Sequence, residues 1–168
     1  MERPLWAPWR MELIGGEKPE GCIFCLFPAE VGDEADRRNL IVARSAQSFV
    51  ILNRFPYNNG HVMVVPRRHT GDLLALPEPE YADLEALLRT AIAVLREVYR
   101  PEGLNVGMNL GQCAGAGIAD HLHHHVVPRW SGDTNFMPVL ADTKVMIEHL
   151  SQTRARLAEA FARSPRRG

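Results

Sequence analysis

Alternation of apolar and polar residues in the first half of the chain predicts paired β-strands. Short apolar runs at 40–44 and 49–52 are followed by turn-forming residues at 56–60, and a further apolar run at 61–66 returns after them. Pro, Asn and Gly between two such runs are typical of a hairpin with a long loop. The polar stretch at 27–38, which precedes these strands, is expected to be a loop.

The second half of the chain mixes helical spacing with strand-like alternation. After Pro77 and Pro79, apolar residues recur at the spacing of one helical face, which predicts a helix that begins at these prolines. The elements predicted for this half are that helix, which ends before Pro101, a half-buried strand at 104–110, a Gly-rich loop at 111–120, a strand at 121–127 and a second helix at 143–163. Because hairpins and helices are mixed without regular βαβ alternation, we predict an α+β fold, an antiparallel sheet with helices on one side.

Composition and charge exclude several classes of protein. The 168 residues suit one domain, expected to span 1–168 with an irregular arm at 1–21 and a frayed tail at 164–168. Hydrophobic residues make up 46% of the chain, which argues against disorder, and the net charge of −1 argues against tight nucleic-acid binding. No apolar run reaches the roughly 18 residues of a membrane span, and no signal-peptide core is present. We therefore expect a cytoplasmic protein that does not contact a membrane.

The histidines are concentrated at one place in the chain. On a strand, His121, His123 and His125 would share one face with Val127, and His124 would lie on the other face. A solvated polar row, a metal-binding row and a catalytic row, in which imidazole acts near neutral pH, would all have this pattern. The Gly-rich loop just before the row favours catalysis, because its backbone N–H groups can bring phosphate oxygens to the histidines.

These motifs resemble the histidine-triad (HIT) superfamily. The stretch 121–127 is similar to its His-φ-His-φ-His-φ-φ signature, in which φ is an apolar residue, and the run at 61–66 is similar to its fourth-histidine strand, with Asn53 upstream. Further stretches resemble the branch that acts on diadenosine polyphosphates, which includes diadenosine tetraphosphate phosphorylases and Fhit-type hydrolases: 5–10, 115–121 and 128–130. The resemblance implies a five-stranded antiparallel sheet with two main helices, and a two-fold homodimer with sheets joined edge to edge.

The resemblance also implies roles for four of the polar residues. His123, the middle histidine, would be the nucleophile, and His125 would contact the phosphate and help the leaving group. His61 would support the triad or the base and ribose side, and Asn53 would hydrogen-bond the ribose. The chain departs from the family at His124, where an apolar residue is usual; we interpret His124 as a partly buried spectator.

Five further residues are implied substrate contacts. Asn109 is a candidate phosphate ligand, although an ordinary exposed strand residue would fit the same pattern. Ile23 and Phe24 resemble the apolar pair that flanks the base, and they could equally belong to the core. Many relatives have a hydroxyl residue near Gly117 and Ile118, so here backbone N–H groups would stabilise the phosphate charge.

A C-x-x-C pair indicates a possible metal site. Two thiolates at the spacing of Cys22 and Cys25 readily chelate one Zn²⁺, which then needs two further N or S ligands. The resemblance supplies these as His69 and His121. A closed Cys₂His₂ set leaves no position for a reactive water, so this zinc would be structural. The alternative is a pair of reduced core thiols with His69 on the surface; no organic cofactor is expected.

The predicted function is nucleotidyl transfer or hydrolysis on dinucleoside polyphosphates through a covalent nucleotidyl-His123 intermediate, with phosphate or water as the acceptor. Two alternatives remain: a Hint-type nucleoside phosphoramidase, in which an amine leaves, and a nucleotide-binding module with slow turnover. Processing of nucleic-acid ends, as in aprataxin-like relatives, is disfavoured because the chain has no basic excess.

Overall fold

The computed structural model describes residues 20–133 and 148–164. Most of the predicted arm at 1–21 and of the tail at 164–168 lies outside the described residues. The elements in chain order are α1 (Ile23–Ala29), α2 (Asp33–Arg38), β1 (Ile41–Arg44), β2 (Ser48–Leu52), β3 (Val62–Pro66), a 3₁₀ turn (Leu73–Ala75), α3 (Glu78–Tyr99), β4 (Gly103–Met108), a second 3₁₀ turn (Gln112–Ala114), β5 (His124–Arg129) and α4 (Leu150–Arg163).

The five strands form one antiparallel sheet in the order β1-β2-β3-β5-β4. Strands β2 and β3 are the predicted hairpin, in register from Ser48 opposite Pro66 to Leu52 opposite Val62. Strand β5 lies between β3 and β4, so the last strand in sequence is flanked on both sides while β4 forms an edge. The predicted α+β class and the five-stranded antiparallel sheet are confirmed.

Helices cover both faces of the sheet, and this differs in part from the prediction. The two long helices, α3 and α4, pack on one face, where Leu84 and Leu157 join Val64 in the main core. The short helix α1 covers the other face, where Phe24 packs in a smaller cluster that includes Phe49. Every residue of β2 and β3 is buried, because apolar side chains are covered on both sides.

The prediction of a loop at 27–38 is wrong, because the stretch contains the last three residues of α1 and all of α2. Helix α2 has acidic residues in its first turn and basic residues in its last, which suits the helix dipole. It also carries an Asp33–Arg37 ion pair one turn apart. A helix as short and as polar as α2 shows no apolar periodicity, so the hydrophobic pattern does not reveal it.

Two other boundaries differ from the prediction. The strand placed at 121–127 runs from His124 to Arg129, because its ladder with β4 reaches Arg129 opposite Gly103. The helix placed at 143–163 begins at Leu150, because His149 has extended backbone and accepts a hydrogen bond from the Ser151 N–H. The first part of that prediction, 143–147, lies outside the described residues.

The structure confirms the ends of the long helix α3. It has Pro79 in its first turn and stops at Arg100, whose left-handed φ of 46° closes it before Pro101. None of the helices within 20–133 and 148–164 is long and apolar enough to cross a bilayer.

Arg44 of β1 fixes the two short helices to the sheet. Its guanidinium donates hydrogen bonds of 2.7 Å each to the carbonyl oxygens of Pro28 and Glu30. It also forms an ion pair of 2.6 Å with Asp36 of α2. These bonds hold α1 in place over the sheet face that carries His123 and His125.

Candidate functional site

The predicted histidine row lies on the sheet face that α1 covers. The Leu122 N–H donates to the Thr70 carbonyl at 2.8 Å and guides the chain into β5, where His125 lies opposite Met63. The rings of His123 and His125 are 4.9 Å apart between centroids. His124 faces the other way, as predicted, and its Nε2 lies 3.1 Å from Glu85 Oε1 on α3.

His123 presents one ring nitrogen with a free lone pair. Its Nδ1 lies 2.8 Å from the His121 carbonyl oxygen, which can only accept, so Nδ1 carries the hydrogen. Nε2 is therefore the unprotonated nitrogen of the neutral ring. Burial lowers the pKa of His123, an effect that the hydrogen bond to the His121 carbonyl opposes. The neutral, nucleophilic form is thus favoured at neutral pH.

A second chain of hydrogen bonds sets the tautomers of His61 and His125. The Tyr57 backbone N–H donates to His61 Nδ1 at 3.0 Å, so His61 carries its hydrogen on Nε2. That nitrogen lies 2.9 Å from His125 Nδ1 and donates to it. His125 therefore carries its own hydrogen on Nε2. Burial first, then the neighbouring His123 and His124, lower the pKa of His125 to about 4.

The Gly-rich loop is held in shape by backbone geometry that favours glycine. Gly111 and Gly115 have φ of 84° and 91°, and the Asn109 side-chain amide donates to the Gly115 carbonyl at 3.3 Å. Asn109 thus shapes the loop whether or not it touches phosphate. Within the described part of the chain, the N–H groups of Gly117 and Ile118 donate to no protein acceptor.

The predicted ribose and base residues are divided between the two ends of the sheet face. Asn53 follows β2; its Oδ1 accepts a hydrogen bond of 2.9 Å from the Phe55 N–H, and its own N–H donates to the His61 carbonyl. Phe24 is fully buried, with its ring 5.1 Å from that of His123 and 5.4 Å from that of His121. Ile23 is half-buried beside it. The core interpretation of Phe24 is therefore correct, and its ring also forms a wall against His123.

The four predicted metal ligands converge at the start of α1. Each offers a ligand atom, and these atoms lie within 4.8 Å of one another: Cys22, Cys25, His69 and His121. His121 Nδ1 lies 3.3 Å from Cys22 Sγ, 3.6 Å from Cys25 Sγ and 3.2 Å from His69 Nδ1. A tetrahedral zinc, with bonds of about 2.0–2.3 Å, separates its ligand atoms by about 3.3–3.8 Å.

The chemistry of the four groups also fits a metal ion. The Nε2–H of His121 donates to the Pro66 carbonyl at 2.8 Å, which leaves Nδ1 as the ligand nitrogen. Burial and the neighbouring Cys22 raise the pKa of Cys25, and a cation bound between the two sulfur atoms would offset this by favouring the thiolate forms. These residues could hold a metal ion.

Sequence reasoning missed two residues near the site. Tyr57 lies in the turn cluster, and its ring is 4.7 Å from that of His61. Gly71 packs so closely on the loop before His121 that a Cβ would lie 2.5 Å from the Ala119 carbonyl oxygen. Neither has a local sequence signal, since both contacts depend on the tertiary fold.

Comparison with known sequences places the chain among HIT proteins. The family model of the HIT domain matches residues 34–132. The AP-4-A phosphorylase of Mycobacterium tuberculosis is 42% identical over 166 residues, which covers 96% of this chain and 85% of the relative. An uncharacterised HIT-like protein of Saccharolobus solfataricus is 30% identical over 69% of this chain and 79% of its own length.

Comparison with solved structures also finds histidine-triad proteins. A zinc-bound histidine-triad family protein from Mycobacterium smegmatis matches 84% of this chain and 93% of its own with a TM-score of 0.65 and 26% identity. A histidine-triad nucleotide-binding protein from Sulfolobus tokodaii shares the fold with a TM-score of 0.66 over 84% of this chain and 92% of its own, at 24% identity. The resemblance predicted from the motifs is confirmed, and the chain belongs to the HIT-domain family.

Proposed function

We propose that this protein is an enzyme that cleaves a dinucleoside polyphosphate by transfer of a nucleotidyl group to phosphate, with His123 as the covalent carrier. The observation that carries the proposal is the hydrogen bond from His123 Nδ1 to the His121 carbonyl, which leaves Nε2 as a lone-pair nucleophile beside the N–H of His125. The 42% identity to a protein named AP-4-A phosphorylase supports the substrate class and favours phosphate over water as the acceptor.

In the first half-reaction, His123 Nε2 attacks the α-phosphorus and forms a P–N bond. The bond between that phosphorus and the bridging oxygen breaks, and the nucleoside polyphosphate leaves with the electron pair. At neutral pH such a polyphosphate is stable as an anion, so the neutral Nε2–H of His125 needs only to donate a hydrogen bond to it. The N–H groups of Gly117 and Ile118, which donate to no acceptor among the described residues, would bind the equatorial oxygens.

In the second half-reaction, an oxygen of inorganic phosphate attacks the same phosphorus and the P–N bond breaks. His123 Nε2 regains its lone pair, and the transferred nucleotide leaves as a nucleoside diphosphate. Diadenosine tetraphosphate plus phosphate thus gives ATP plus ADP. Water as the acceptor would give AMP instead of ADP.

The metal would be zinc in a structural role. Four residues would hold the ion: Cys22 at the N-cap of α1, Cys25 within it, His69 after β3 and His121 before β5. The ion would thus cross-link the start of α1 to the segment that leads into β5. Four protein ligands leave no open position. Cysteines that bind zinc and form no disulfide suit a reducing compartment, which supports a cytoplasmic location.

We expect the molecule to form a two-fold homodimer through the edge of β4. Val106 on this strand is 43% exposed, and β4 has a partner strand on one side alone within the described sheet. A regular edge strand with an exposed apolar residue is a ready site for pairing with a second copy. Sedimentation showing only monomer at micromolar concentration would reject the dimer.

Product analysis tests the proposed activity. The purified protein is incubated with diadenosine tetraphosphate, with and without inorganic phosphate, and the nucleotides are separated by ion exchange. ATP plus ADP, formed only with phosphate, supports the proposal; ATP plus AMP makes the protein a hydrolase. His123→Ala should lower turnover at least about a thousandfold while the fold persists. Near-full activity in that variant would remove His123 from the mechanism.

A further inference from the structure

The structure contains a groove beside His125 that the proposed chemistry leaves unused. It has a volume of about 490 Å³, within the range of small-molecule sites. Its floor is formed by β5 and β4, from His125 past Val127 to Arg129, and it includes Gly107, which pairs with His125. A Cβ on Gly107 would meet nothing within 4 Å, so the floor is open beside the histidine.

Tyr57 forms an aromatic wall of this groove. Its ring lies against that of His61 at 4.7 Å with a tilt of 32°, and it lies 5.9 Å from the ring of His125. The residue is nevertheless 55% exposed. One side of the ring is thus covered by a histidine while much of the ring remains open to a planar ligand, which is the geometry for base stacking.

The far end of the groove carries little free charge. The Arg129 guanidinium donates to both carboxylate oxygens of Asp133, at 2.6 and 3.0 Å, and to Asn105 Oδ1 at 2.8 Å. An arginine neutralised and fixed in this way is a poor phosphate clamp, but its plane can lie against a base. The groove therefore suits an uncharged, planar group better than a further phosphate.

We infer that this groove binds the nucleoside of the leaving group, with Tyr57 as the residue on which its base stacks. The inference rests on the proposed function and extends it: the enzyme selects substrates with a nucleoside at both ends of the phosphate chain. A base stacked on Tyr57 holds the leaving polyphosphate beside the N–H of His125. The base of the transferred nucleotide can then bind on the Phe24 side of the site.

Two substrates of equal phosphate number test this inference. Diadenosine tetraphosphate has a base at both ends, and adenosine 5′-tetraphosphate has the same phosphate chain with a single base. The readout is the ratio of their kcat/KM values, measured with phosphate present. In the wild type we expect the ratio to favour the dinucleotide, and Tyr57→Ala should lower the ratio about 10- to 100-fold, the effect of one lost stacking contact.

Matched variants separate stacking from other effects. Tyr57→Ala keeps the backbone N–H that donates to His61, so it removes the ring alone. Tyr57→Phe keeps the ring and should hold the ratio within about twofold of the wild-type value. Phe55→Ala removes an aromatic ring that is also exposed in the same loop but does not line the groove, and it should leave the ratio unchanged.

The possible results have distinct meanings. If Tyr57→Ala lowers kcat/KM equally for both substrates, the ring supports His61 instead of a base. This result would overturn the inference while the proposed function stands. An unchanged ratio of kcat/KM values in Tyr57→Ala would overturn the inference in the same way, and so would a wild-type protein that does not prefer the dinucleotide. Turnover of neither substrate by the wild type would refute the proposed function, and the inference with it.

Discussion

Removal of the Phe24 ring should destabilise the fold and slow the reaction for the same structural reason. The side chain is fully buried and fills the space between α1 and the sheet. Its ring lies 6.5 Å from Phe49 in an edge contact and within 5.4 Å of the rings of His121 and His123. Truncation of a buried Phe to Ala costs about 3–5 kcal/mol, and Phe24→Ala also removes these three ring contacts.

Urea unfolding followed by circular dichroism measures this cost. The free energy of unfolding in water should fall by about 3–5 kcal/mol with an unchanged m-value, and Phe24→Leu should lose less because it leaves a smaller cavity. Leu26→Ala is the matched control: Leu26 lies on the same helix but is 41% exposed, so its effect should stay within about 0.5 kcal/mol.

The folded Phe24→Ala protein should also react more slowly, because His123 has lost the wall that fixes its ring. The decrease should fall on kcat more than on KM. A stability loss below about 1 kcal/mol would refute the reasoning, since it would mean that α1 does not pack on the sheet through this ring.

Three further predictions concern pH, metal and backbone packing. The pKa of His125 is about 4 in the folded protein and about 6.5 when unfolded, so the unfolded chain binds more protons between these values. Stability should therefore fall as pH drops from about 6.5 toward 4, and His125→Asn should flatten that slope in urea titrations. Cys22→Ser should remove bound zinc, measured by elemental analysis, and lower the melting temperature; a variant that retains one zinc per chain would contradict the ligand assignment. Gly71→Ala should push the Ala119 carbonyl outward, at a cost of about 1–3 kcal/mol in unfolding, and should raise KM; wild-type values of both would show that the loop adapts freely.

The chemistry of the site was predictable where it depends on local spacing. Alternation along the stretch 121–127 placed His123 and His125 on one face and His124 on the other, and the C-x-x-C pair indicated a possible metal site. The resemblance then added His69, which lies far from Cys25 in sequence and 3.4 Å from its sulfur in the fold. The residue types, the two-residue alternation of a strand and the C-x-x-C spacing can all be read from the sequence without knowledge of the tertiary structure.

Other features of the fold and the site depend on charge placement and tertiary contacts, which leave no local pattern in the sequence. Helix α2 is stabilised by charge placement and not by an apolar stripe, so periodicity could not find it. The tautomer of His61 is set by a backbone N–H, that of Tyr57, and backbone groups are the same at every position. The tight contact of Gly71 with Ala119 is equally invisible in sequence, because glycine is common in loops for many reasons.

His121 serves two parts of the site with two different groups. Its ring points to the cysteines, while its carbonyl oxygen accepts the hydrogen of His123. A substitution at position 121 therefore removes the ring nitrogen that could bind a metal ion but leaves the carbonyl, and the hydrogen bond from the Leu122 N–H to the Thr70 carbonyl still positions that part of the backbone. If the four residues hold a metal ion, a variant without Cys22 and Cys25 would therefore lose two of its ligands and still keep the hydrogen bond that orients the His123 ring.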